Sequence, residues 1–322
     1  MMDFLKSFFG GKRPAQAPKH TPKHTPKHTP KITVLTITEE DTGRKVFNII
    51  WPMKFVNNDV ANRLYKYLYE LNMFGVLPKN VRGDLRAQYN LSEPLIDSVH
   101  RIICAQRAIE ARPKLSEILS NAVSEYEKTN ITELSNKYGI PPLMLLRSIL
   151  IEKGYSATVL YHIYTQRAQP EKFIQGRDLK QYYLAVDNDI SDIQSQQEAG
   201  KRADAAELEF VRNFGAIGAA FKTQEELTKE QVEQFGRAIV TPDILLLDVL
   251  YINGKRVHWI DFKSYMLLPN TFIYTSLIKQ ADRYNVEFGS GAFVFLHGTP
   301  NVNISNTLLL STDALYNGII FK

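Results

Sequence analysis

Residues 241–263 leave the backbone few choices. Thr241-Pro242-Asp243 opens an apolar run, ILLLDVLYI, and KRVHWIDFK returns after the Asn253-Gly254 pair. Asn-Gly between two apolar runs is a strong hairpin signal, because both residues tolerate the positive φ of a tight turn. The return strand ends with Asp261 and Lys263, two residues apart and therefore on one face of a strand. One hairpin thus carries two carboxylates and an ammonium.

Register decides whether these groups meet. A two-residue loop at Asn253-Gly254 sets Asp261 against Leu246 and leaves Asp243 on the opposite face. A three-residue loop, Ile252-Asn253-Gly254 with Gly254 left-handed in a bulge, sets Lys263 against Asp243. Asp261 is then diagonal to Asp243, about 7–8 Å away between backbones. A shared site therefore requires a bulge or an equivalent register shift, and the three-residue loop is the form expected here.

Together the three side chains suit metal-assisted hydrolysis of a phosphodiester. Hard cations such as Mg²⁺ prefer carboxylate oxygens and keep several waters. Asp243 and Asp261 could hold such an ion, which activates a water and steadies charge on the leaving oxygen. Lys263 could orient that water or stabilise charge on the phosphate. An isolated D-x-K near a strand end is usually solvated surface; the Pro-Asp on the preceding strand is what gives this one weight.

The order of motifs resembles the PD-(D/E)XK nuclease superfamily: a helical Glu, then P-D, then D-x-K, then a helix with Q-x-x-x-Y. The Thr-Pro-Asp triplet and the HWIDFK segment resemble more narrowly the TPD-domain proteins, the family of the codanin-interacting nuclease, whose archaeal relatives are similar to Holliday-junction resolvases. The resemblance covers roughly residues 60–298 and is specific in the hairpin. It implies a restriction-endonuclease-like α/β domain, a central mixed sheet flanked by helices, and Mg²⁺ as cofactor with Mn²⁺ as a substitute. It implies catalytic roles for Glu207, Asp243, Asp261 and Lys263, with the three acids as metal ligands. Gln280 and Tyr284, in IKQADRYNVEFGSGAFVF, match the supporting helix. Glu207 fits the first-helix position through Phe210 and Phe214 at +3 and +7, and Glu209 competes for it. Asp261 stands where relatives more often have Glu, one methylene longer.

The chain has 322 residues, enough for two domains and a tail, and is 44% hydrophobic. No apolar run reaches the ~20 residues of a membrane span, and no secretory signal is evident. A single cysteine, Cys104, excludes an internal disulfide and a cysteine-based zinc site; it is expected as a small buried residue on a helix. The net charge is +5, yet residues 1–31 carry seven Lys/Arg against one acid, so the basic character sits in the tail.

Residues 1–31 are expected to form a disordered basic tail. Lys-His-Thr-Pro repeats three times, and proline at every fourth position excludes a helix. Lys19, Lys23 and Lys27 would touch phosphates non-specifically, or the segment serves as a spacer. At its start, Leu5, Phe8 and Phe9 resemble a sliding-clamp-binding peptide, with Met2 in place of the usual Gln.

Residues 32–58 hold two β segments, KITVLTIT and KVFNIIW, around a turn at Asp41-Thr42-Gly43. Residues 59–165 read as an all-α domain with two helix-turn-helix patterns. In the first, 85–103, Asn90 ends one helix and Ser92 caps the next, with Glu93-Pro94 in its first turn. In the second, 131–150, Gly139 takes the left-handed turn and Pro141-Pro142 starts the following helix. The reading helices are poor in Arg, Lys and Asn, Arg147 being the main candidate, so backbone or shape contact is expected over base readout. Residues 166–200 read as linker and lead-in helix, and 201–322 as the nuclease-like domain. His258, of opposite parity to Asp261, is expected to be packed or solvent-facing. Gly289-Ser290-Gly291 is expected to be a turn, since it lacks the Lys-Ser/Thr of a phosphate loop.

The expectation is a metal-dependent DNA endonuclease acting on branched or structured DNA, within the nucleus or another DNA-containing compartment. DNA, a sliding clamp and a second copy in a homodimer are its expected partners. The alternative is a catalytically inactive nuclease fold that serves as a DNA-binding or scaffold protein.

Overall fold

The computed structural model describes residues 31–39, 43–166, 169–191, 193–269, 271–312 and 319–321. Lys19, Lys23, Lys27, Leu5, Phe8 and Phe9 of the expected tail therefore lie outside the described residues. The described residues divide into two compact units, one of residues 62–201 and one that combines those of 31–61 with those from 202 onward. Among the described residues no helix is long and apolar enough to cross a membrane.

The second unit is α/β, built on one mixed sheet. Its strands are β1 (Ile32–Glu39), β2 (Lys45–Ile50), β3 (Phe221–Thr223), β4 (Ile244–Ile252), β5 (Lys255–Lys263), β6 (Gly291–Phe295), β7 (Thr307–Ser311) and β8 (Ile319–Phe321). Their order is β7-β6-β5-β4-β2-β1-β8, with β3 beside β4. β1–β2 and β4–β5 are antiparallel, whereas β2–β4, β5–β6 and β6–β7 are parallel. The β segments read separately at 32–58 thus belong to the same sheet as the C-terminal strands. Hydropathy locates strands but is silent on which distant strand each will pair.

Both faces of the sheet are covered at β5 and β6. Phe210 and Phe214, from the helix Ile193–Gly215, join a core with Ile260, Phe262, Val294 and Leu310. On the other side Tyr284, from the helix Phe272–Phe288, packs edge-on against Trp259, which meets Phe293 in the same manner. Gly291 is required here: a Cβ built on it would fall 2.1 Å from the Trp259 ring. The indole Nε1 donates to Gly289 O at 2.8 Å, and His258 Nδ1 approaches Ser290 O at 3.1 Å, which makes His258 a packing residue of the expected turn.

The first unit is helical, and both helix-turn-helix patterns form. Asn90 is left-handed at φ 53°, and Ser92 Oγ accepts from Leu95 N at 3.4 Å. Gly139 is left-handed at φ 65°, and the helix Pro142–Glu152 follows. Pro141 offers that helix no side-chain cap, and Asp189 supplies it by accepting from Leu143 N at 3.0 Å. Of the stretch read as linker and lead-in helix at 166–200, the lead-in helix forms as the start of Ile193–Gly215, but the part before it is not a linker. Its helix Gly176–Asp187 places Tyr182 and Ala185 in the helical core. Asp178 is buried there, accepting from Tyr126, Lys153 and Tyr155 at 3.0, 2.8 and 2.9 Å. Most of the described polar side chains of that stretch are exposed, while Asp178, Gln181 and Asp189 are buried. Cys104 is buried on a helix beside Phe74 and Ile190, as expected.

Candidate active site

The site begins with the turn. Asn253 and Gly254 have φ of 51° and 77°, the two positive values of a two-residue hairpin turn. Ile252 pairs with Lys255, Tyr251 with Arg256, and Leu250 with Val257. The expected three-residue loop is therefore replaced by the tighter one. Asn253 secures it further, accepting from Trp51 N and donating to Trp51 O, both at 2.9 Å.

The shift lies in mid-strand instead. Beyond it Leu245 pairs with Trp259 and Ile244 with Ile260, so Leu246–Val249 stand against His258 alone. Three surplus residues in β4 change the register by an odd number, and an odd shift exchanges the two faces of a strand. One more step of the new register sets Asp243 across from Asp261, not across from Lys263. Asp243 Oδ2 accepts from Phe262 N at 2.6 Å, which fixes its carboxylate against β5.

Asp243 and Asp261 are both buried, at 4% and 3% exposure. Burial pushes the Asp243 carboxyl well above the usual carboxylate range, and the charges of Asp261 and then Glu207 add to it; Lys263 and the Phe262 N–H oppose. Lys263 Nζ forms an ion pair with Asp261 Oδ1. Burial of the amine is the largest single influence and disfavours its charge, but Asp261, Tyr265, Tyr284 and Asp243 together outweigh it, Asp261 most, and Lys263 is held above the ordinary lysine range. Gln280 Nε2 donates to Asp261 Oδ2 at 3.0 Å and to Tyr284 Oη at 2.9 Å. Tyr284 Oη reaches Thr241 O at 3.4 Å, so the supporting helix holds both ends of the motif.

Thr241-Pro242-Asp243 is also held from the other side. Gln224 Nε2 donates to Thr241 O at 3.2 Å, and Gln224 N donates to Asp243 O at 3.1 Å. Gln224 opens a helix whose start is fixed by the Thr223–Glu226 capping box.

Six residues named from the sequence thus fall into one neighbourhood: Asp243, Asp261, Lys263, Gln280 and Tyr284 by contact, and Glu207 through its charge on Asp243. Glu207 is half-buried and Glu209 is exposed. Arg147 is an exposed residue of the helix Pro142–Glu152, in the helical unit. Among the described residues no group of three or more His, Cys, Asp or Glu is gathered as a metal shell. No local sequence signal marks Tyr265, whose phenol burial pushes up to about 12 beside Lys263 and Asp261. Asp248 has one, as an acid in the middle of ILLLDVLYI that interrupts an apolar strand.

Residues 177–308 match the model of a family described as a protein of unknown function with a TPD sequence motif. The matched range contains Glu207, the Thr-Pro-Asp triplet, Asp261, Lys263, Gln280 and Tyr284. The chain is 34% identical over 146 residues to an uncharacterized protein of Acanthamoeba polyphaga mimivirus, covering 44% of this chain and 48% of the relative. The chain thus spans about half the length of that curated relative. No solved structure matches it.

Proposed function

We propose that this chain is a metal-dependent DNA endonuclease of restriction-endonuclease-like fold, related to the PD-(D/E)XK nucleases. The observation that carries the reading is the buried Asp243–Asp261 pair with Lys263 bound to one of its members. Two acids and a lysine in apolar surroundings are costly to fold, and the cost is intelligible where the charges have work to do.

The donor set fits a hard divalent cation such as Mg²⁺, or Mn²⁺ in its place. It offers carboxylate oxygens only, and Asp243 sits under an excess of negative charge from Asp261 and Glu207. Asp243 and Asp261 would hold the ion, with Glu207 completing the shell directly or through water. When bound, such an ion supplies charge neutralisation at the phosphate and a more acidic water. Lys263 is kept cationic by Asp261, so it serves as a donor that orients the attacking water or a phosphate oxygen, and not as a general base. Gln280 fixes the Asp261 carboxylate, and Tyr284 fixes Gln280. Arg147 contributes backbone contact with DNA, and branched or otherwise structured DNA is the proposed substrate in a DNA-containing compartment.

A second reading is favoured by the Lys263–Asp261 ion pair, which occupies one of the carboxylate oxygens an ion would need. It makes the chain a nuclease fold that binds DNA or a partner without cutting. Cleavage of linear, single-stranded and four-way DNA, with Mg²⁺ and with chelator, separates the two. Mg²⁺-dependent products that vanish in Asp243→Asn support the enzyme; none with any substrate supports the second reading.

A further inference from the structure

We propose that Asp248 is the positioning residue that sets the register of the candidate site. It lies within Leu246–Val249, the stretch of β4 that stands against His258 alone. The opposite edge of β4 changes neighbour over the same residues. β3 pairs antiparallel with Ile244–Leu246, and β2 pairs parallel with Val249–Ile252.

Asp248 ties both neighbours at the junction. Its Oδ2 accepts from Ala220 N at 2.8 Å, just before β3, and its Oδ1 accepts from Lys45 N at 3.1 Å, the first residue of β2. Ala220 O in turn accepts from Leu247 N at 2.9 Å and from Asp248 N at 3.3 Å. Two backbone donors arrive, one from the start of β2 and one from the residue before β3, and a carboxylate can accept one on each oxygen. A neutral isostere offers one such oxygen.

The surplus residues therefore have a place to go, and the strand does not slip back. Were β4 regular from the turn onward, Asp261 would face Leu246 and Asp243 would lie on the other face. Asp248 contacts neither acid. It acts through the backbone of β4, so its effect on the site is one of position.

Amide exchange in the full-length chain tests this directly, because Phe262 N is held by Asp243 Oδ2. In Asp248→Ala the Phe262 amide is expected to exchange at least about 10-fold faster, while amides of the helical unit such as Ile149 keep parent rates. Parent-like protection of Phe262 in the folded variant overturns the proposal. If Asp248→Ala does not fold, Asp248→Asn, which keeps the volume and one acceptor, is judged on the same amide.

The activity arm rests on the nuclease reading. There kcat should fall about 100-fold with KM changed by less than about threefold, and Asp248→Asn should recover part of the loss. Parent-like kcat in a variant whose Phe262 protection is lost overturns the link between register and cleavage. A parent chain that cuts no DNA removes the nuclease reading, and the exchange result still decides the role of Asp248.

Discussion

Asp243 and Asp261 stand across from each other near the open end of the hairpin, although the turn that joins their strands has the register that separates them. The reversal is local to Leu246–Val249. Burial of Asp243, with the repulsion of Asp261 added to it, sets the pH behaviour expected of the fold.

Asp243 has its folded pKa raised by burial and by the charges of Asp261 and Glu207. The folded state therefore keeps a proton that the unfolded chain has released, and stability falls as pH rises from the ordinary carboxylate range through the raised value. Asp243→Asn removes that charge and keeps an oxygen to accept from Phe262 N. Without added metal it should stabilise the fold by about 1 kcal/mol or more above this window and give no gain below it. Urea unfolding at a series of pH values measures the difference.

Lys263→Met should act in the opposite direction. It leaves Asp261, 4% exposed in its side chain, without its cation. Breaking a buried pair on one side costs about 3–5 kcal/mol, read as a lower urea midpoint at neutral pH. Equal stability of parent and variant at neutral pH would show that the pair is solvated.

Gly291→Ala tests the packing behind the site. The new methyl would meet the Trp259 ring, and overpacking of this kind costs about 1–3 kcal/mol. The Trp259 emission should change with it. A neutral substitution would mean that the indole has room to move.

Gln280→Ala removes the Gln280 donor from Asp261 Oδ2 and from Tyr284 Oη. Loss of a partner that orients a metal ligand typically costs about 10–100-fold in metal affinity or activity. Isothermal titration with Mn²⁺ measures the first and cleavage the second; unchanged values would remove Gln280 from the supporting set.

The hairpin, the acids and the lysine were legible in the sequence because their signals are local: an Asn-Gly pair, a two-residue spacing, a Pro-Asp start. The helix caps at Ser92 and Gly139 were legible for the same reason. The register shift is legible as a need but not in its place, since the turn residues report the turn alone. What creates the shift is a contest of long-range partners, Lys45 and Ala220 on one carboxylate, and no window of sequence contains all three. The same limit hid the union of β1 and β2 with the C-terminal strands, and the buried partners of Asp178 in a stretch polar enough to read as a linker.

The most direct measurement is Mg²⁺-dependent cleavage of a labelled four-way DNA junction by the parent chain and by Asp243→Asn at matched concentrations. The account predicts products with the parent that chelator abolishes, and a loss of more than about 100-fold in the variant, beyond that of a supporting residue, with junction binding retained. Equal cleavage by the two proteins, or none by the parent on junction, linear or single-stranded DNA, would contradict it.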